Sequence, residues 1–448
     1  MEPIQDFEAY WNTLNGPIEK QVTAIVIGAG LRGQNYSTYA LDLPSRLKIV
    51  GVAEPSFTRR SKMQNLYNIP DEMAVEDWRI FTKFRKVADV AFICTQDQYH
   101  KEPAVSFANL GYNLLLEKPM ATSIEDCEEI TEACINNNVI VNVCLVPRHF
   151  PPCVKIKEII QSGTIGDVVL IQYSENIGWW HFAHSYVRGN WNNESKSTFS
   201  FLAKCCHDLD LIRYWMNDIP VTSIQSFGGL KHFKQENKPV GAASNCLDCE
   251  VHSSCPYSVQ KIYLNNVKGH WPEQWPMSAV CDIEDYPIGS HGYRKKLTKA
   301  LKNGRYGRCV YECDNDVADH QIVNLVFEND AKASIIMNAF SRDLNREVRI
   351  CGTAGEIRWN GDEISPIQVT EFTSRKTYDV FAENAPLGIK CRDHEGADFF
   401  IVNSLVRAIA ANDQSITPID IDECYKTHLL VFEAERSRKT NSVLNVNI

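Results

Sequence analysis

Apolar residues along this chain fall into two successive patterns. In the first, short and nearly continuous apolar runs alternate with amphipathic stretches: Val22 to Ile27, Leu47 to Ala53, Val87 to Cys94, Tyr112 to Leu116 and Val139 to Leu145. Runs of this length, rich in β-branched residues and separated by helix-forming segments, predict parallel strands covered on both faces. Ser123 is placed to cap the helix before the last of them. Residues 21–146 are therefore expected to form one doubly wound α/β domain, after an N-terminal extension over 1–20.

Beyond Pro151 and Pro152 the pattern changes. A helix near Val154 to Ser162 precedes longer runs of alternating apolar residues at Val168 to Ser174, Val221 to Phe227, Ile322 to Phe327, Ala331 to Ala339 and Glu347 to Ile350. Alternation predicts a second α/β domain over 147–448 with an open, mostly antiparallel sheet, closed by helices near 397–411 and 422–437. Residues 229–319 break the periodicity and are too long for a plain loop, so they read as an insertion.

Composition narrows the partners. With 46 basic and 56 acidic residues the net charge is −10, and no basic block is present that could neutralise a phosphate backbone, so nucleic acid is not expected as a partner. No apolar run approaches the roughly 18 residues needed to cross a bilayer, and the first 20 residues lack the apolar core of a secretory leader. The expectation is a cytoplasmic protein with no membrane partner. Sixteen cysteines in a chain of 448 residues then read as reduced thiols or metal ligands.

The first strand runs directly into Gly28-Ala-Gly30-Leu31-Arg32-Gly33 and a helix. Strand, glycine turn and helix together make a Rossmann-type site, in which main-chain amides face a pyrophosphate and Gly30 lets the backbone approach it. Glu54 ends the next strand, where a carboxylate accepts from the adenosine ribose diol and repels a 2′-phosphate. This favours NAD over NADP, although Arg59 and Arg60 lie nearby.

The glycine turn, Thr95 to His100 and above all Leu116-Glu117-Lys118-Pro119-Met120-Ala121 resemble the Gfo/Idh/MocA oxidoreductases. The stretches Asn176 to Trp191, Phe201 to Trp215, Gly352 to Glu356 and Glu435 to Arg438 follow in that family's order. The resemblance implies a dinucleotide-binding domain followed by an α/β domain that often oligomerises through the exposed face of its sheet. It also implies that Thr95, His100, Glu117 and Pro119 line the cofactor, that Lys118 reaches the substrate hydroxyl, and that His207 is the acid–base residue. One departure stands out: the aspartate that many members carry four residues before the histidine is here Ala203, with Lys204 next.

Between these segments lies the densest cluster of aromatic and donor side chains, Trp180, His181, His184, Tyr186 and Arg188. Aromatic faces with nearby donors suit a polyhydroxylated ring, and Arg188 would pair with an acidic sugar. With Lys204 these are the candidate substrate residues, the alternative being that the tryptophans pack a sheet edge or a subunit contact. Six cysteines crowd between 246 and 313. Of these, Cys246, Cys249, Cys255, Cys309 and Cys313 could supply four thiolates to one structural zinc, which would hold an insertion that otherwise buries little apolar surface. Packed free thiols and an iron–sulfur cluster are the alternatives.

The leading expectation is an NAD-dependent oxidoreductase acting on a secondary hydroxyl of a sugar or sugar derivative. Two others remain open: an NAD-dependent glycosidase that oxidises its substrate transiently, and a non-catalytic NAD-sensing partner.

Overall fold

The computed structural model describes residues 11, 12, 16, 18–265, 275–283, 286–362, 364–383 and 388–448. The first ten residues of the expected N-terminal extension lie outside this set. Trp11 does not trail from the domain: its ring packs edge-on to Phe399 at 4.9 Å.

The first sheet has six parallel strands in the order β3-β2-β1-β4-β5-β6, formed by β1 (Val22–Ile27), β2 (Leu47–Ala53), β3 (Ala74–Val75), β4 (Val90–Ile93), β5 (Asn113–Leu116) and β6 (Val141–Val143). Alternation along β1 divides its side chains between two cores. Ile25 and Ile27 pack beneath α3 (Lys101–Asn109) and α4 (Ile124–Asn136), whereas Val22, Ala24 and Val26 face α1 (Leu31–Ser37) and, unexpectedly, the distant α8 (Ala397–Ala411). Helix α8 was expected in the second domain. Its apolar face of Phe399, Val402, Leu405 and Val406 instead completes the cover of the first sheet. Between β2 and β3, α2 (Phe57–Tyr67) carries Arg60 on its inner face.

The second sheet has nine strands in the order β14-β13-β12-β11-β7-β10-β9-β8-β15. These are β7 (Val168–Asn176), β8 (Val221–Gly229), β9 (His320–Phe327), β10 (Lys332–Asn338), β11 (Asn345–Gly352), β12 (Gly355–Trp359), β13 (Ile367–Glu371), β14 (Lys376–Val380) and β15 (Leu444–Asn445). Among the described residues only β7 and β10 pair in parallel in this sheet, so it is mixed and mostly antiparallel. One face lies under α5 (Pro151–Gln161) and α6 (Ser200–Trp215), with α9 (Ile421–Thr440) packed on α6, α4 and β8. Through α9 the two sheets share a continuous core.

The insertion joins two strands that are neighbours in this sheet, with Gly229 facing His320 across the register. It is not poor in apolar contacts. Phe233 stacks on Phe182 at 5.6 Å, Tyr306 stacks on His184 at 4.8 Å, and Leu297 and Leu301 of α7 (His291–Asn303) are buried. Aromatic packing therefore holds the insertion against the 179–191 segment.

Candidate functional site

Close contacts build the glycine turn. Gly28 has φ of +91°, and a Cβ there would lie 2.6 Å from the Cys94 carbonyl oxygen; at Gly33 it would lie 2.1 Å from the oxygen of Gly28. Side chains at either position would break the strand-to-helix turn. At Gly30 nothing lies within 4 Å of the same position, which leaves open space before the amides of Leu31 and Arg32 at the start of α1. A pyrophosphate fits this cradle. The carboxylate of Glu54 is fixed at the end of β2 by the amides of Ala29 (2.8 Å) and Ser56 (2.9 Å), and each oxygen retains capacity to accept from a ribose hydroxyl.

The side chain of Arg32 does not face that cradle. It donates from Nη1 and Nη2 to both oxygens of Asp398 (2.8 Å each) and from Nε to Glu117 (2.8 Å), with the Tyr36 hydroxyl beside it. The expectation of Arg32 as a cofactor contact is thus corrected for its side chain: only its amide belongs to the turn. Burial opposes charge on Glu117 and Asp398, but Arg32 outweighs it and holds both carboxyls below their usual range, Asp398 down to about 2. The result is a buried cation–dianion knot tying α1, β5 and α8 together behind the cofactor cleft.

His100 is fully buried, with Nδ1 2.8 Å from the Pro119 carbonyl and Nε2 3.1 Å from that of Thr95. It acts as a brace between the two loops that close the lower edge of the cleft, and the Thr95 hydroxyl donates to Tyr99 O (3.1 Å) in the same loop. Beyond Pro119, the Met120 amide donates to Nε2 of His428, whose Nδ1 donates to the Cys424 carbonyl, so α9 fixes the end of the Glu-Lys-Pro segment.

Lys118 leaves β5 across a cis bond to Pro119, and its Nζ donates to the carbonyl of Ala203 in the first turn of α6 (2.6 Å). The position where an aspartate was missing is thus where the lysine docks. One turn on, His207 is buried, and its Nδ1 has no hydrogen-bond partner among the described residues. Burial, then the charges of Lys118 and Arg346, depress its pKa far below the usual imidazole value, so the ring is neutral. His181 is half-buried, but its Nδ1 is buried without a hydrogen-bond partner among the described residues, and its pKa is depressed by burial and then by Lys204.

Several residues here carried no separate expectation. Asp97, inside the Thr95–His100 segment, accepts from the indole of Trp191 (2.7 Å); burial raises its pKa against the opposing charges of His100 and Lys118. Glu175 at the end of β7 lies 3.1 Å from both Lys204 and Arg346, and Arg346 also lies 3.1 Å from Asp208. Burial and the neighbouring Glu175 push Asp208 up to about 6, while Tyr173 donates to it at 2.7 Å. Lys204, expected as a substrate donor, is therefore already paired with Glu175.

The aromatic segment splits. Trp180 stacks with His181 at 5.3 Å, and Tyr186 stacks on Phe182 at 5.0 Å, with burial raising the pKa of its hydroxyl. Arg188 and His184 turn the other way, which corrects their assignment to the substrate. Arg188 donates to the carbonyls of Arg308 (2.8 Å) and Tyr257 (2.9 Å) and to Cys246 Sγ (3.3 Å), inside the insertion. His184 bonds the Tyr263 hydroxyl at 2.9 Å, and burial followed by the Arg188 charge lowers its pKa to about 3. The Nη1 of Arg188 is buried without a hydrogen-bond partner among the described residues.

Cys246, Cys249, Cys255 and Cys309 line one small cavity beside Arg188. Among the described residues, however, no three Cys, His, Asp or Glu side chains converge as a metal would need, and Cys313 donates to Cys309 O (3.3 Å). Burial raises the pKa values of Cys255, Cys309 and Cys313, the last to about 11, which suits neutral packed thiols. The expectation of a structural zinc is not supported, and the aromatic contacts above remove its rationale.

Comparison with known proteins agrees with this geometry. The NAD-binding Rossmann domain of an oxidoreductase family matches residues 22–145, and the C-terminal α/β domain of the same family matches residues 157–382. The putative oxidoreductase YteT of Bacillus subtilis is 23% identical over 75% of this chain and 76% of its own length. The 2,7-anhydro-N-acetylneuraminate hydratase of Escherichia coli is 24% identical over 46% of this chain and 53% of its own. The chain spans between 38% and 76% of the curated relatives it matches first. Among solved structures, levoglucosan dehydrogenase bound to NADH and levoglucosan superposes with a TM-score of 0.67 over 95% of this chain and 99% of that one, at 17% identity. With both family domains matched in order across the two sheets, the chain belongs to the Gfo/Idh/MocA family of oxidoreductases.

Proposed function

We propose that this protein is an NAD-dependent oxidoreductase that moves a hydride between nicotinamide and a secondary hydroxyl of a sugar or sugar derivative. The observation that carries the reading is the convergence of Lys118, docked on Ala203 O, with a neutral His207 whose Nδ1 is buried without a partner among the described residues. The dinucleotide, when bound, supplies the hydride acceptor. Lys118 Nζ holds the substrate oxygen as negative charge develops on it, and His207 takes the hydroxyl proton. His181 offers a second buried acceptor for a neighbouring hydroxyl, and Trp180 and Tyr186 give the ring an apolar wall. NAD is favoured over NADP because Glu54 occupies the ribose position and Arg60 is turned onto Glu76 (3.0 Å) and the Glu54 carbonyl.

The test is nicotinamide reduction across a panel of anhydrosugars, aldoses and polyols, levoglucosan among them. Substrate-dependent NADH formation that disappears without NAD is expected; a chain that binds NAD but reduces none of it with any member would sink the reading. A second reading is favoured by the hydratase relative and by Ala203 in place of the aspartate: transient oxidation followed by elimination and re-reduction. It gives product without net NADH.

We also propose that the exposed face of the nine-stranded sheet meets a second copy of the chain. Phe227, Ile322 and Ile336 are exposed and lie side by side across β8, β9 and β10, a continuous apolar row at the sheet's surface. Phe227→Arg is expected to lower the mass measured by light scattering to that of a smaller assembly. An unchanged mass would remove this face from the interface.

A further inference from the structure

Residues 275–283 of the insertion touch both ends of the cofactor cleft. At one end Trp275 sits edge-on to Trp180 (5.3 Å), His181 (5.0 Å) and His184 (5.6 Å). From His181 the rings continue through Tyr186 (6.2 Å) to Trp191 (6.0 Å), whose indole donates to Asp97 in the loop after β4. That loop is braced against Pro119 by His100, so Trp275 stands at the reacting end. At the other end Asp282 lies 3.7 Å from Arg59, in the first turn of α2. The Ser56 amide before that turn holds the Glu54 carboxylate, so Asp282 marks the adenosine end.

The segment matches the cleft in length. Glu54 and Lys118 follow β2 and β5, which stand three strand spacings apart in the order β2-β1-β4-β5, a distance of about 14 Å. Between Trp275 and Asp282 the chain makes one helical turn, Met277–Val280, so even with the rest extended it reaches at most about 18 Å. That leaves little slack for a detour around the rim. Nor is the segment loose: Met277, Ser278 and Ile283 are buried. The Ser278 hydroxyl has no hydrogen-bond partner among the described residues, a state that a bound ligand or water relieves.

We propose that residues 275–283 roof the bound dinucleotide from its reacting end to its adenosine end, a cover contributed by the insertion that must lift before the cofactor can enter or leave. The inference rests on the NAD reading of the site. Lifting the cover draws Trp275 away from three rings and parts Asp282 from Arg59, so cofactor exchange is slowed by the small fraction of time the cleft stands open. A steric cover slows entry and exit alike, whereas a side chain that merely touches the cofactor changes chiefly its exit. Hydride and proton transfer remain with Lys118 and His207.

The test is stopped-flow fluorescence of NADH with the full chain, reading association directly and release by a chase with excess NAD, for the wild type, Trp275→Ala, Trp275→Phe and Asp282→Ala. In Trp275→Ala both rates are expected to rise about tenfold while Kd stays within about twofold, the loss of several ring contacts from the closed state alone. Trp275→Phe keeps an aromatic edge and is expected to restore both rates to within about threefold of the wild type. Asp282→Ala removes one exposed ion pair, so both rates are expected to rise about two- to threefold at an unchanged melting temperature, which decides the matter if Trp275→Ala does not fold. Wild-type rates in the folded variants would overturn the cover. So would faster release at an unchanged association rate, the mark of a direct contact. A wild-type chain that binds no NADH would instead overturn the NAD reading, and this inference with it.

Discussion

Lys118→Ala is expected to lower kcat by about a hundred- to ten-thousandfold, the range for losing a positioned proton-handling or alkoxide-holding group. The Kd for NAD is expected to stay within about twofold, since the cradle at Gly28 to Gly33 and the Glu54 anchor do not depend on the ammonium. The case rests on where the side chain is docked. Its Nζ donates to Ala203 O (2.6 Å), which holds it over the first turn of α6, and His207 lies one turn further on. Its positive charge also helps to keep His207 unprotonated, so removing it moves the His207 pKa back toward its ordinary value. The variant therefore loses its hold on the oxygen, and the expected fall in kcat is assigned to that loss. Lys118→Arg is not expected to rescue, because a planar guanidinium cannot take the place of a compact ammonium in the gap beside Ala203. Full turnover by Lys118→Ala on a substrate the wild type oxidises, measured by nicotinamide absorbance, would remove the lysine from the chemistry.

The parts of this fold that are legible in the sequence are those with one dominant local signal. The strands Val22–Ile27 and Leu47–Ala53 coincide with their apolar runs, and the helix expected at 397–411 spans Ala397–Ala411. Ser123 accepts from the Asp126 amide as an N-cap should. Strands β13 and β14 escape because the outer hairpin is half solvated; β14 (Lys376–Val380) is exposed along most of its length and has no buried face to mark it. The side on which α8 packs is also hidden, since its partners on β1 lie nearly the whole chain away.

At the site, the glycine turn, Lys118 and His207 carry local motifs, whereas the groups that position them do not. Nothing in the neighbourhood of Asp398 announces Arg32, and nothing near Arg346 announces Glu175 and Asp208. Arg188 shows the converse. An arginine among aromatics looks the same in sequence whether it awaits a carboxylate or spends its donors on buried carbonyls, and only the insertion's path decides it.

Asp210→Ala is expected to cost about 3–5 kcal/mol of stability, the range for breaking a buried ion pair from one side. Asp210 is fully buried in α6 and receives two parallel hydrogen bonds from Arg148, from Nε (2.7 Å) and Nη2 (2.9 Å), with Thr427 of α9 donating at 3.2 Å. Arg148 lies just after the last strand of the first sheet and also donates to Pro418 O (3.3 Å), so the pair joins both domains at the root of α6. Removing the carboxylate strands a guanidinium that is only 3% exposed, close to Asp218 at 3.8 Å but without bidentate compensation. Against a total of about 5–15 kcal/mol for a typical folded domain, that loss is large enough to be read directly as a lower urea midpoint. Because the cost comes from the stranded charge, adding Arg148→Met to Asp210→Ala is expected to recover part of it, since an apolar side chain of about the arginine's length carries no desolvation penalty. If Asp210→Ala unfolds at the wild-type midpoint, the pair does not hold the two domains together.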